Sequence, residues 1–375
     1  FPVKAETNEG TKTLNVALYG YVPDIERFEK AVSTKWSELE SNITLNFVDW
    51  DCYESDPTED VDVFVFDALY FQSYVEQGYL LEIPSEDIAE REDILPFALD
   101  GCTLGGNVYA IPQIICTNLL YYRNGDTEVE NANTIDELFN VIGKRQSQTV
   151  IPNNNEGLLI DMSSGISKTC FYLDGLIDHN QIYNSYSDLP PANEFNEEVI
   201  NRLKTLQSMA GKEQSQYVPD NNDSYIRAKW FEQGSGRAYM GYTEAMSNMG
   251  SFVNDIDFKN ISYCKEDNIP LFFGDLVGIN SKISDSKKDL AYKLANTITA
   301  TETMDMAISS DDSKPYPQYL LPARRSVYMD MGKLYPIYNE LYNIVNNSAN
   351  KLFLLGPGAK DWLEETNSNI GNLLK

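Results

Sequence analysis

The sequence predicts an α/β protein of two lobes. Three observations point there: a length of 375 residues, a strand-helix-strand-strand order at the start, and two apolar strands around Cys116 and Asp275 that read as the places where the chain crosses between lobes. At roughly 100 to 200 residues per domain the length fits two units better than one.

Thr13-Leu-Asn-Val-Ala-Leu-Tyr-Gly20 reads as an opening strand, and residues 23–39 then place Ile25, Phe28, Val32, Trp36 and Leu39 at helical spacing. Ile43-Thr-Leu-Asn-Phe-Val-Asp-Trp50 alternates as a second strand. Val61-Asp-Val-Phe-Val-Phe-Asp67 is nearly continuous in apolar residues, the signature of a strand buried on both faces in a parallel sheet. A helix over 68–78, a short run over 94–101 and a hairpin over 105–112 lead into the Cys116 strand. Thr134 with Glu137 forms a capping box that opens a helix over 135–144. Helices, short strands and polar loops alternate to about residue 270, and an apolar strand over 268–280 precedes a polar cap and an amphipathic helix over 281–296. The expected division is residues 11–120 with 276–325 as one discontinuous lobe, 121–275 as the other, and 326–375 as C-terminal helices packed on the lobes.

The net charge of -28, from 29 Lys and Arg against 57 Asp and Glu, repels phosphate backbones and anionic lipid. Nucleic acid and membrane surfaces are therefore poor partners, and a cationic small molecule suits the field better; the same charge also serves plain solubility. No apolar run approaches the length needed to span a bilayer. Phe1-Pro-Val-Lys-Ala5 followed by a polar stretch reads either as the remnant of a signal cleavage site or as vector-derived residues, and export is the expectation.

Cys52, Cys102, Cys116, Cys170 and Cys264 are scattered, with no Cys-x-x-Cys pair to suggest a zinc or redox motif, and an odd count leaves at least one thiol free. The single histidine, His179, reads as a surface loop residue. A site needing two imidazoles cannot be built, so an activated cysteine must take a carboxylate or a local dipole as its partner. Cys116 sits in Tyr109-Ala-Ile-Pro-Gln-Ile-Ile-Cys116-Thr-Asn, where a thiol is either inert core or a placed nucleophile. Gly241-Tyr-Thr-Glu244-Ala-Met supplies a carboxylate of the kind such a thiol needs.

The order of elements resembles the periplasmic-binding-protein type II architecture, two α/β lobes with crossover strands and a deep interlobe cleft. Asp62-Val-Phe-Val-Phe-Asp-Ala68, Val108-Tyr-Ala-Ile-Pro112, residues 230–240, Gly278-Ile-Asn-Ser-Lys282 and Leu321-Pro-Ala-Arg324 carry the likeness. The Cys116 and Glu244 segments are more specific and resemble the nucleophile and base segments of thiaminase I, a secreted thiamine-cleaving family on this fold. The resemblance implies Cys116 as nucleophile and Glu244 as activating carboxylate. It further implies Asp67, Asp275 and Asp100 as binding carboxylates, Asp100 being chosen over Asp93, and Tyr19, Tyr53, Tyr225 and Tyr242 as pocket tyrosines. Phe273 stands where another tyrosine is expected.

The implied activity is transfer of the pyrimidinylmethyl group of thiamine to an external amine or thiol through a covalent cysteine-pyrimidine intermediate. It needs no cofactor and no metal, and a secreted monomer is expected. The alternative is a non-catalytic extracellular solute-binding protein for a sugar or a thiamine-like cation, which would not need the pairing of Cys116 with Glu244. A carboxylate-only hydrolase is a second rival, and it would leave Cys116 dispensable.

Overall fold

The computed structural model describes residues 12–181, 189–221, 223–352 and 354–375; the stretch 1–5 read above as a leader remnant lies outside them. Its centre is a seven-stranded sheet. Across it run Leu321–Pro322, Ile111–Cys116, Leu271–Ile279, Val63–Asp67, Thr13–Ala17 and Thr44–Phe47, with Lys351–Leu352 pairing beside Leu271–Ile279. Val63–Asp67 is buried throughout, as its apolar run requires. The sheet is mixed, however, and not parallel: Val63–Asp67 runs parallel to Thr13–Ala17 and antiparallel to Leu271–Ile279. Apolar continuity reports burial on both faces, and that is satisfied equally by either strand direction.

The first helix, Ile25–Leu39, is capped by Asp24, whose carboxylate accepts from the Arg27 N–H. Thr134 caps Ile135–Ile142 by accepting from Glu137 N at 3.2 Å, while Glu137 Oε2 accepts from Asn133 N at 2.7 Å. A hairpin pairs Thr103–Leu104 with Asn107–Val108, earlier than the 105–112 expected, because Ile111 and Pro112 belong to the strand Ile111–Cys116 of the first sheet. Its turn residues Gly105 and Gly106 hold φ of 60° and 85°, a left-handed pair that only glycine adopts without strain.

A second sheet of four strands carries Ile256–Lys259, Leu119–Arg123, Gly236–Gly241 and Asn154–Ile160 in that order. The chain leaves the first sheet after Cys116 and returns to it at Leu271. Thr117 Oγ1 donates to the Leu271 carbonyl at 2.9 Å, so the outgoing and returning segments are tied to each other. Arg325–Leu334 and Ile337–Val345 pack together, the former also against Thr301–Ile308. The last helix, Ala359–Leu373, lies on Ser167–Asn180, where Thr169 Oγ1 donates to the Leu363 carbonyl at 3.1 Å. No helix among the described residues is long and apolar enough to cross a membrane.

Candidate active site

A cavity of about 560 Å³ opens where the strand ends of the two sheets face each other. The first sheet contributes Asp67, Cys116, Phe273 and Asp275 to its lining, and the second contributes Tyr239, Met240 and Gly241, followed by Tyr242 and Glu244. Backbone register explains the first set. Asp67 pairs directly with Asp275 and Cys116 with Phe273, so antiparallel pairing brings together groups that are more than 150 residues apart in the chain.

Two carboxylates side by side in a dry setting cannot both ionise without cost. Burial, then the neighbouring Asp67 and Glu244 charges, hold the Asp275 carboxyl well above the usual carboxylate range. Asp67 is pushed only to about 6, because burial is opposed by the Leu69 N–H and the Tyr53 hydroxyl that its oxygens accept. Since the one hydroxyl proton of Tyr53 goes to Asp67, Tyr19 donates to Tyr53, 2.6 Å away. The result is an oriented chain from Tyr19 through Tyr53 to Asp67. Tyr21 closes over it, its ring 5.4 Å from that of Tyr19 and 5.2 Å from that of Tyr53.

Glu244 occupies the short 3-10 helix Thr243–Asn248, which is fixed on both sides. Thr243 Oγ1 donates to the Tyr319 carbonyl at 2.7 Å, and Asn248 Nδ2 donates to the Tyr225 carbonyl at 3.2 Å. Burial pushes the Glu244 carboxyl up to about 7, into the range of a general base working near neutrality. Cys116 is half-buried at the end of its strand. Burial raises its thiol first, and the charges of Glu244, Asp275 and Asp67 raise it further. All five cysteines are free.

Residues 117–264 match the Thiaminase-1 domain. Over 353 residues the chain is 46% identical to the Thiaminase-1 of Paenibacillus thiaminolyticus, covering 94% of this chain and 86% of that one. The chain belongs to the thiaminase I family. Its fold superimposes on the Clostridium botulinum thiaminase I solved in complex with thiamin, with TM-score 0.95, 58% identity and coverage of 96% of this chain and 99% of that one. Maltose-bound MalE3 of T. maritima shares the fold alone, at TM-score 0.67 and 15% identity over 96% of this chain and all of that one. The two-lobed binding-protein architecture expected from the sequence is therefore the fold of this thiaminase I chain.

Of the residues the resemblance singles out in this thiaminase I, Cys116, Glu244, Asp67, Asp275, Tyr19, Tyr53, Tyr225 and Tyr242 all line the cavity, as does Phe273. Asp100 does not. It ends the short helix Pro96–Asp100 with its side chain exposed to solvent. Asp93 is no substitute, since its oxygens accept from the Ser326 N–H and hydroxyl. The sequence reading missed Tyr21, Tyr70, Asn118, Asp161, Cys170 and Glu364, which also line the cavity. Asn118, two residues past Cys116, could have been found from the strand that points there. Cys170 and Glu364 lie on distant helices and carry no local signal.

Proposed function

We propose that this chain is a thiamine pyridinylase in which Cys116 adds to the pyrimidine ring of thiamine and Glu244 removes the thiol proton. The observation that carries the reading is the convergence of Cys116 and Glu244 on one cavity with the Asp67–Asp275 pair and the tyrosines. A binding protein has no need of a thiol facing a carboxyl tuned to about 7.

An ordinary thiol near pKa 8.5 is only a few per cent ionised at neutrality, on the order of one part in thirty. Here burial, and then the protein's own negative charges, hold the proton on sulfur even more firmly. The thiazolium ring of the substrate acts in the opposite direction, because a cation beside the sulfur favours the thiolate. Proton transfer from Cys116 to Glu244 is in this way coupled to arrival of the correct ligand. The thiolate then bonds to the ring carbon next to the bridge-bearing carbon, and the displaced electron pair moves into the ring, where a protonated carboxyl such as Asp275 donates to a ring nitrogen. The electron-rich ring breaks the bond from the bridge methylene to the thiazolium, which leaves as neutral thiazole with that electron pair. An external amine or thiol bonds to the methylene and loses its proton to a carboxylate. The carbon–sulfur bond breaks last and restores Cys116. Covalent catalysis divides one hard displacement into easier steps, while the tyrosine faces offer stacking and cation-π contact to the departing ring.

The test combines turnover with labelling. Cys116→Ser should abolish release of thiazole from thiamine and an amine such as aniline while leaving circular dichroism unchanged. A pyrimidine carrying a leaving group on the attacked carbon should add to Cys116 alone. Cys170 shares the cavity, yet its charged neighbours are Asp67 and Asp174, with no contribution from Glu244. An adduct mapped to Cys170, or Cys116→Ser activity within about tenfold of the parent, would transfer the role away from Cys116. Thiamine binding without any thiazole release would favour the solute-binding reading.

A further inference from the structure

We propose that His179, Glu198 and Cys264 form a binding site for a borderline-soft divalent cation of the zinc class, on the second lobe and outside the cleft. One ligand atom from each, nitrogen, oxygen and sulfur, lies within 4.8 Å of the others. Bonds of roughly 2.0 to 2.3 Å to a tetrahedral ion bring such atoms to roughly 3 to 4 Å apart, so a small closure of side chains completes the site. The three come from separate elements. His179 lies in the last turn of the helix Ser167–Asn180, not in the surface loop expected, Glu198 in the first turn of Glu197–Ala210, and Cys264 in the segment that returns to the first sheet.

Two further observations point to a ligand. His179 Nδ1 is buried and stands 3.0 Å from Glu198 Oε2, yet it makes no well-directed hydrogen bond. A cation accepting from both lone pairs resolves that contact. The surroundings also pre-orient the donors, as neighbours of metal ligands commonly do. Glu198 turns its other oxygen to Arg202, 3.5 Å away, which is itself paired with Asp136 at 3.2 Å. Arg202 Nε donates to the Tyr263 carbonyl at 3.1 Å, and the buried Asp178 carboxylate accepts the Tyr263 N–H. Asp178 precedes His179 and Tyr263 precedes Cys264, so one hydrogen bond fixes the approach of two ligands.

A sulfur, an imidazole nitrogen and a carboxylate oxygen together select zinc, cadmium or cobalt over calcium or magnesium, which take oxygen donors. On binding, Cys264 releases its proton to solvent and its sulfur, with neutral His179 and ionised Glu198, donates electron pairs to the ion; water completes the fourth position on the exposed side. The ion would clamp the helix whose first half carries Cys170 and Phe171 into the cleft wall.

The experiment uses Cys116→Ser, Cys170→Ser protein, so that neither cleft thiol can compete. Cadmium titration should give one equivalent of the ultraviolet sulfur-to-cadmium charge-transfer band, and zinc should bind in equilibrium dialysis and raise Tm by mass action. Adding Cys264→Ser should remove the band, and either Cys264→Ser or His179→Gln should weaken zinc by at least about tenfold with unchanged circular dichroism. Absence of zinc binding, a band that survives Cys264→Ser, or equal zinc affinity in the His179→Gln protein would each overturn the proposal.

Discussion

At the scale of single residues, burial shifts both the proposed nucleophile Cys116 and the proposed base Glu244. Burial and three nearby carboxyl groups keep Cys116 protonated, and burial alone brings Glu244 to about 7. A base is competent as the carboxylate, so kcat/KM should rise as pH increases through about 7 and level off above it. Glu244→Gln keeps the size and removes proton acceptance. Its rate should fall by roughly two or more orders of magnitude with a far smaller change in thiamine affinity. The loss should shrink at high pH, where hydroxide generates the thiolate without help. Steady-state profiles of parent and variant check this, and parallel profiles would make Glu244 a binding group and not the base.

At the scale of elements, the strand Leu271–Ile279 organises the site. Nine consecutive buried residues place it inside the sheet, and its register sets Phe273 against Cys116 and Asp275 against Asp67. The Thr117 hydroxyl holds the start of that strand to the outgoing crossover. Thr117→Val is close to isosteric and removes the bond, which should lower stability by about 1 kcal/mol. Because the bond lies between the two crossovers, kcat should drop as well, by a few fold, through looser placement of Cys116. Denaturant unfolding and turnover on the same preparation measure both, and a stability loss with unaltered kcat would confine Thr117 to the scaffold. These strands are legible in sequence from apolar run length and alternation. Strand direction is not, since burial on both faces is the same pattern for parallel and antiparallel neighbours.

At the scale of the whole molecule, acidity and burial set the response to pH. Burial raises Asp67 and Asp178 to about 6, Glu244 to about 7 and Asp305 to about 8, and it raises Asp275 and Asp174 as well. The folded chain thus binds more protons than the unfolded chain from about pH 4 upward, and the associated stability is present below the unfolded carboxyl range and lost as pH rises through the folded values. Asp24, Asp126 and Glu156 are lowered and act in the reverse sense, losing stability only on stronger acidification. Tm should therefore fall between about pH 5 and about pH 8. Added salt screens the self-repulsion of a chain with net charge -28 but leaves the part due to buried groups. Calorimetry at low and high salt separates the two, and a Tm that rises toward pH 8 would contradict the burial of these carboxyls.

The sequence by itself determined the alternation of strands and helices, the capping box at Thr134, a hairpin near Gly105 and, through family resemblance, the interest of Cys116 and Glu244. Each rests on information within a few residues: side-chain period, a cap, a turn conformation, a short motif. Only the tertiary structure decided that Asp100 faces solvent, that Cys170 and Glu364 reach the cleft, and that His179 ends a helix beside Glu198 and Cys264. Those outcomes depend on the approach of groups far apart in the chain. A local pattern specifies which face of an element is buried, but the packing of whole elements specifies what that face meets.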